Sequence, residues 1–489
     1  MTRGPASEAP ADGLAALNAQ LRRDLGYLNY PPANWVPQRR HAGREVVDVV
    51  LIGGGMCGLV AAFSLRRLGI RNLRILDRRQ AGGEGPWVTY ARMETLRSPK
   101  HLVGPAADLP PLTFRAWYEA QFGRDAWERL GKIPRPMWMD YLGWYRDVLD
   151  LPVENGIEVT RIEPAADGLL RLPLRGAAEP EILARKVVMA TGREGLGEPY
   201  IPDFVKDLPR DRWAHSADPI DFAALRGRRV VVIGVGASAV DNAAEALEAG
   251  AAEVRLLIRR KQMPRINKLM GIGSPGFTHG YPALPDLWRW RFMHYAGAEQ
   301  TPAPRDSTLR VSRHPNGYFH FGCGIRDMAA VGDAVRIDTV GSKRFETDFV
   351  IVCTGFTVDP MARPELSGYA DKIAIWADRF TPPAGLESEE LARFPYLAPS
   401  FAFTERDPGT APWLKDIHCY NYAATLSLGK VSGDIPAVSE GAAMLARAIA
   451  ADFYGEDALR HYQDLVAYRK PELVGDEWTD AEALSQVAG

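Results

Sequence analysis

The stretch Val49–Gly58, VVLIGGGMCG, is an apolar run that breaks into glycines, and it returns in altered form as VVVIGVGASA at Val230–Ala239, about 180 residues later. An uninterrupted apolar run of this length marks a parallel strand buried on both faces. Gly53, Gly55 and Gly58 then fall in the spacing G-x-G-x-x-G. The first glycine permits a tight turn, the second lets a pyrophosphate approach the backbone, and the third lets helix and strand pack closely. The helix expected over Leu59–Leu68, closed by Gly69, offers free amides and a positive dipole end at its start, and Met56, Cys57 and Gly58 leading into it are candidate cofactor-binding residues. Asp77 closes the next strand, LRILD, 24 residues after Gly53, with Arg78 beside it. A carboxylate at that place takes the hydroxyls of an adenosine ribose. The opening unit is therefore a dinucleotide cradle.

The second unit keeps Gly234 and Gly236, carries Ala237 and Ser238 in its loop, and has Ala239 at the third place, a permitted variant. No acid ends its second strand. Arg259, Arg260 and Lys261 stand there, 25 to 27 residues after Gly234. Cations in place of a carboxylate are what a ribose 2′-phosphate requires, so this loop is expected to take NADPH in preference to NADH. Two cradles in one chain then divide the work: FAD in the first and the reductant in the second.

Working outward, the 489 residues are long for one core, and two or three domains are expected. Strands alternate with helices, which predicts an α/β fold of two Rossmann-like dinucleotide-binding domains, the FAD domain interrupted by the NADPH domain. Residues 1–45 form an arm whose helix carries Leu14, Leu17, Leu21 and Leu25 on one stripe, with Asp12 placed to cap it, and NYPPANWVP ends it. Residues 46–203 hold the first part of the FAD domain and 204–345 the NADPH domain. Residues 346–489 hold the second part, in which the strand of FETDFVIVCTGF returns the chain to the first sheet and a long helix follows from Ile435. An insertion at 262–325, rich in Pro, Gly and aromatic residues, shows no clean period. Its Trp288, Trp290, Phe292 and Tyr295 either line an apolar pocket or pack as core.

Apolar residues make up 46% and charged residues 25%, and a net charge of -2 offers no footprint for nucleic acid or an anionic membrane. Four scattered cysteines with no CxxC read as the reduced thiols of a cytoplasmic protein. No apolar run approaches a bilayer span, and Glu8, Asp12 and Asp24 argue against a transit peptide. The histidines form no HExxH or close His/Cys cluster, so no metal is expected.

Several further motifs resemble those of the class B flavin monooxygenases over roughly residues 46–450. AGGEGPW (81–87) is similar to the segment after the first βαβ unit where the backbone nears the flavin, which implies a cofactor contact for Trp87. ATGREGLGEPYIP (190–202), with Thr191 and Gly192, resembles the linker between the two domains. CTGFTVDP (353–360), with Thr354 and Gly355, resembles the return turn. LGKVSGDIPAVSEG (428–441), with Asp434, is similar to the closing segment whose helix start faces the flavin pyrimidine, where a helix dipole stabilises negative charge.

LRSPKHLVGPAADLP (96–110) resembles a flavin-containing monooxygenase segment, but Arg97 stands where that family has an asparagine. Arg97 and its neighbour Ser98 are the candidate catalytic residues. Arg97 is expected to stabilise oxygenated flavin, to bind a substrate carboxylate, or merely to pair with Glu94. The fingerprint before the second cradle survives only as His215 in WAHSADPIDF. The resemblance implies an NADPH- and O2-dependent monooxygenase that uses a flavin C4a-hydroperoxide to oxygenate a nitrogen, a sulfur or a ketone of a small molecule. The alternative on this fold is an NADPH oxidase or electron-transfer flavoprotein. A disulfide reductase would need a cysteine pair against the flavin, and Cys57 has no neighbour to pair with.

Overall fold

The computed structural model describes residues 12–193, 195–478 and 481. The first eleven residues of the arm, Glu8 among them, and Glu194 of the linker motif lie outside the described residues. Helix α1 (Gly13–Tyr27) buries Leu17, Leu21 and Leu25, the stripe its leucine spacing predicts. Asp12 stands at the N-cap, but its side chain makes no capping bond; its backbone carbonyl takes the Ala16 amide at 2.9 Å instead.

The first unit runs β1 (Val47–Ile52), α2 (Met56–Arg67), β2 (Leu73–Asp77), α3 (Arg135–Val148), β3 (Val153–Asn155), β4 (Leu170–Arg175) and β5 (Glu181–Met189). Its sheet order is β3-β2-β1-β5-β4, parallel except for β4, which pairs antiparallel with β5. β1 sits in the middle, and every residue from Asp48 to Ile52 is buried.

The second unit runs β6 (Trp213–His215), β7 (Arg229–Ile233), α4 (Ala237–Glu248), β8 (Glu253–Ile258), α5 (Asp286–Glu299), α6 (Arg305–Ser312) and β9 (Gly317–Phe321). An antiparallel meander follows, β10 (Ile325–Val331), β11 (Ala334–Thr339) and β12 (Arg344–Thr347), and then β13 (Phe349–Val352). The second sheet is fully parallel in the order β6-β13-β7-β8-β9.

Two expectations are corrected here. The apolar strand of FETDFVIVCTGF belongs to the second sheet, where Val231 lies opposite Val350 and Ile233 opposite Val352. An apolar run suits the middle of either parallel sheet. What holds it in the second is the short link from β12 and the Asp348 carboxylate, which accepts the Arg229 amide at 2.8 Å and its guanidinium at 2.6 Å. The chain therefore leaves the second unit after Val352, not at 345. The insertion at 262–325 is also more regular than its composition suggests, since it contains α5, α6 and β9. The sequence of α5, DLWRWRFMHYAGAE, scatters aromatic residues around the helix, which hides its period.

The chain ends with α7 (Val438–Glu456), packed along α2, and α8 (Ala458–Ala467). Among the described residues no helix is long and apolar enough to cross a membrane.

Beneath the first sheet lies a buried ion network that ties the arm to the C-terminal helices. Lys186 on β5 reaches Asp416 and Glu456, each at 2.6 Å. Arg185 reaches Glu456 at 2.9 Å and Asp457 at 2.8 Å, and Arg39 of the arm meets Asp457 at 2.8 Å. Asp48 on β1 is 1% exposed and stands 3.9 Å from Arg185. Burial pushes its carboxyl up to about 7, against the pull of Arg185. With a folded pKa above the unfolded one, unfolding releases a proton across roughly pH 4–7, and the native state loses stability as pH rises through that window. Asp48→Asn should therefore melt above the wild type at pH 8, by up to a few kcal/mol at ~1.4 kcal/mol per pKa unit. That difference should shrink toward pH 4 in calorimetry; a pH-independent difference would contradict the assignment.

Candidate active site

The first cradle is built as its glycines require. Gly53 has φ +109°, and a Cβ there would lie 2.5 Å from the Ala190 carbonyl oxygen. A Cβ on Gly58 would lie 1.9 Å from the Gly53 carbonyl oxygen, so α2 packs against its own turn with no room for a methyl group. Gly55 is different. A Cβ there meets nothing nearer than the Gly85 amide at 3.7 Å, and Gly55 caps α2 with no side chain over the amides of Met56, Cys57 and Gly58. The open side and uncapped helix start fit a pyrophosphate. Asp77 accepts the Gly54 amide at 2.8 Å on one oxygen and the Arg79 amide at 2.8 Å on the other. Each oxygen keeps a second lone pair for a ribose hydroxyl. Arg78 is exposed beside it.

Three residues that sequence reasoning missed shape the floor around this cradle. Glu84, buried, accepts the Gly82 amide at 2.8 Å, Asn155 at 2.6 Å and Arg146 at 3.2 Å, which fixes the AGGEGPW loop. Arg135 donates to the carbonyls of Trp87 and of Met93, the latter at 2.8 Å, and so holds the segment that carries Trp87 and leads to Arg97. Asn421, fully buried, donates to the Met189 carbonyl and the Thr191 hydroxyl, both at 3.2 Å, while its own carbonyl accepts the Ser432 hydroxyl at 2.7 Å. It joins the end of β5, the linker and the closing segment. An acid between glycines was the one visible signal; Arg135 and Asn421 carry none in sequence.

The linkers come together. Tyr200 donates its amide to the Gly355 carbonyl at 2.9 Å, Thr357 to Glu198 at 2.9 Å and Asp359 to Leu196 at 2.8 Å, while the Thr354 hydroxyl reaches the Tyr200 carbonyl. Gly192 receives the Tyr422 amide at 3.2 Å. The two crossings between units thus form a paired double strand. His215, buried, faces it: Nε2 donates to the Gly355 carbonyl at 3.0 Å and Nδ1 accepts the Ala217 amide at 3.2 Å. Burial draws its pKa down, so the imidazole is neutral and braces the crossing.

In the second cradle Gly234 has φ +126°, and a Cβ there would meet the Cys353 carbonyl oxygen at 2.8 Å. Gly236 is open and caps α4, whose first turn holds Ala237 and Ser238. Arg259 is exposed just beyond β8 with no partner among the described residues, while Arg260 spends one donor on the Ala298 carbonyl at 2.7 Å. Between the units opens a cleft of about 430 Å³, lined in part by Val88, Arg92, Arg135, Phe222 and Glu245. Arg310 of the insertion clasps it, donating to Glu248 at 2.8 Å and Glu245 at 3.0 Å, and to the Arg92 carbonyl of the first unit at 3.4 Å.

Arg97 lies where the closing segment, the insertion and α4 converge. One donor goes to the Pro302 carbonyl, and Asp434 and Asp241 are both within electrostatic reach. Asp434 itself is paired with Lys430 at 2.6 Å. Arg97 is no partner of Glu94, which pairs with Arg310 at 3.8 Å. Ser98 is half-buried beside it.

A family model described as pyridine nucleotide-disulphide oxidoreductase matches residues 50–270. Over 468 residues the chain is 39% identical to the FAD-dependent urate hydroxylase of Xanthomonas campestris pv. campestris, covering 95% of this chain and 98% of the other. The chain belongs to the class B flavin monooxygenases.

The monooxygenase shares its fold with the ornithine hydroxylase of Pseudomonas aeruginosa, at a TM-score of 0.64 and 18% identity over 83% of this chain and 99% of that one. The ornithine N-hydroxylase of Kutzneria sp. 744, solved with reduced FAD, NADP+ and L-ornithine, superposes at a TM-score of 0.62 and 17% identity, with the same coverage. The Xanthomonas enzyme is FAD-dependent and the Kutzneria enzyme holds FAD and NADP+, while the four thiols of this chain, Cys57, Cys323, Cys353 and Cys419, are all free. The oxidase reading is not favoured by these relatives. The aromatic group of the insertion is divided. Trp290 is buried between Trp376 at 6.0 Å and Phe380 at 5.5 Å, whereas Trp288 and Tyr295 face solvent. It forms no single pocket.

Proposed function

We propose that this monooxygenase oxygenates urate or a similar planar purine anion, with Arg97 as the residue that receives the anion. The observation that carries this is the 39% identity along nearly the whole chain to a urate hydroxylase. Arg97 supports it. One of its five donors is anchored on Pro302, and the others have no partner among the described residues. A planar guanidinium fork suits a planar anion with adjacent acceptors.

Bound FAD would supply acceptance of a hydride from NADPH and activation of dioxygen, chemistry by which one oxygen atom would enter the substrate and the other would leave as water. Around it the chain supplies position and charge. The amides of Met56, Cys57 and Gly58 receive the pyrophosphate, and Asp77 the ribose. The Asn421–Thr191 pair and the Arg135-held loop with Trp87 fix the flavin's surroundings. Asp434, held by Lys430, stands at the start of the segment leading into α7. The start of α4 with Ser238 receives the pyrophosphate of NADPH, Arg259 and Arg260 its 2′-phosphate, and the Thr354–Gly355 turn closes the crossing.

The deciding assay follows NADPH, dioxygen and substrate together, with urate set against ornithine, lysine and cyclopentanone. Urate should accelerate NADPH oxidation and disappear one-for-one with it, leaving little hydrogen peroxide. A flavin-loaded enzyme that leaves urate untouched would end this reading. Arg259→Glu combined with Arg260→Ala should raise the KM for NADPH by about tenfold or more, from the loss of charge-assisted bonds, and change that for NADH little. Equal changes for the two would remove the 2′-phosphate role.

A further inference from the structure

The last helix, α8, is fastened to the body along one edge. His461 stacks on Tyr454 at 4.4 Å with rings 7° from parallel, and Trp35 leans on both. None of its ten residues is buried. Leu459, Tyr462 and Leu465 are 72%, 64% and 71% exposed, and Val466 is exposed beside them. The Arg460–Asp464 ion pair, at 3.0 Å, occupies the opposite side and leaves this stripe free of charge. A ten-residue helix with so little packing is marginal alone.

The segment after α8 adds Tyr468, Leu473, Val474 and Trp478, all exposed. Together these side chains offer on the order of 800 Å², the area each partner gives to a standard interface. Monomers rarely leave so many large apolar side chains bare in one short segment. The stripe is also symmetric about Tyr462: in an antiparallel pair, Leu459 of each helix falls opposite Leu465 of the other, the self-match that a two-fold interface needs.

We propose that α8 and the segment after it form an isologous interface with a second copy of this chain. The interface is independent of the substrate reading. The charges on α8, Arg460 and Asp464, pair with each other, and Arg469 and Lys470 after it are outnumbered by Glu472, Asp476 and Glu477, so no basic excess recommends an anionic lipid surface as the occupant.

The test is sedimentation velocity of the full, FAD-loaded chain from submicromolar to tens of micromolar concentration. A dimer is expected, and Leu459→Ser with Leu465→Ser should convert it to monomer while FAD content and kcat stay unchanged. Tyr462→Cys, at the two-fold centre, should give a disulfide-linked dimer on oxidation that the wild type, with its cysteines buried or partly buried, does not give. A wild type that stays monomeric overturns the proposal. So does a dimer indifferent to the serine substitutions, a Tyr462→Cys variant that does not cross-link, or a monomer that sediments with anionic vesicles through this stripe.

Discussion

Gly58→Ala is expected to purify colourless, with no bound FAD and no NADPH-driven oxygen uptake. The methyl group would stand 1.9 Å from the Gly53 carbonyl oxygen, and that oxygen belongs to the backbone of a turn that cannot retreat. Gly53 is itself pressed against Ala190. Helix α2 must therefore slide away from β1, which carries the amides of Met56 and Cys57 off the pyrophosphate. Overpacking of this kind costs about 3 kcal/mol or more. The matched control is Gly55→Ala, whose methyl group meets nothing within 3.7 Å and so leaves the apo fold intact. It should melt like wild-type apoprotein yet bind FAD at least tenfold more weakly, because the methyl group occupies the phosphate approach. Flavin absorbance per chain and the apo melting temperature separate the two. Equal melting temperatures for both variants would show that the close contact at Gly58 does not shape the fold.

The second large effect is expected at Arg97. Arg97→Met should lower kcat/KM for urate by about 10- to 150-fold, the span of one charge-assisted hydrogen-bonded contact at ~1.5–3 kcal/mol. NADPH consumption should continue, with more of it diverted to hydrogen peroxide. Arg97→Lys keeps the charge and loses the fork, so it should recover only part of the activity. The informative comparison is the KM for urate against the rate of flavin reduction by NADPH. If Arg97 serves the anion, the first rises and the second is unmoved. If instead the reduction rate falls, Arg97 acts on the cofactors.

The motif-bearing parts of this protein were legible because they obey local rules. A glycine is forced wherever a turn needs positive φ or a helix must touch its strand, and Gly53, Gly58 and Gly234 meet those conditions in the structure as their spacing implies. Asp77 and Arg259 stand at equivalent strand ends with opposite charge, a contrast visible in one dimension. The leucines of α1 were legible for the same reason, a period that survives in the letters.

Other features depend on partners far away in the chain. The strand at Phe349–Val352 reads as buried in any sheet, and its place between β6 and β7 is settled by Asp348 meeting Arg229, 119 residues earlier. Pairing with Glu94, three residues away, was one of three readings of Arg97, yet Glu94 faces Arg310. Arg135 and Asn421 do their work through backbone carbonyls, which every residue possesses and no sequence distinguishes. The sequence by itself determined two dinucleotide cradles, their order and the sign of charge beside each, because backbone sterics and phosphate chemistry act over a few residues. Only the tertiary structure decided which strand joins which sheet, how the linkers pair and what surrounds Arg97, because those outcomes rest on contacts between segments that the chain keeps far apart.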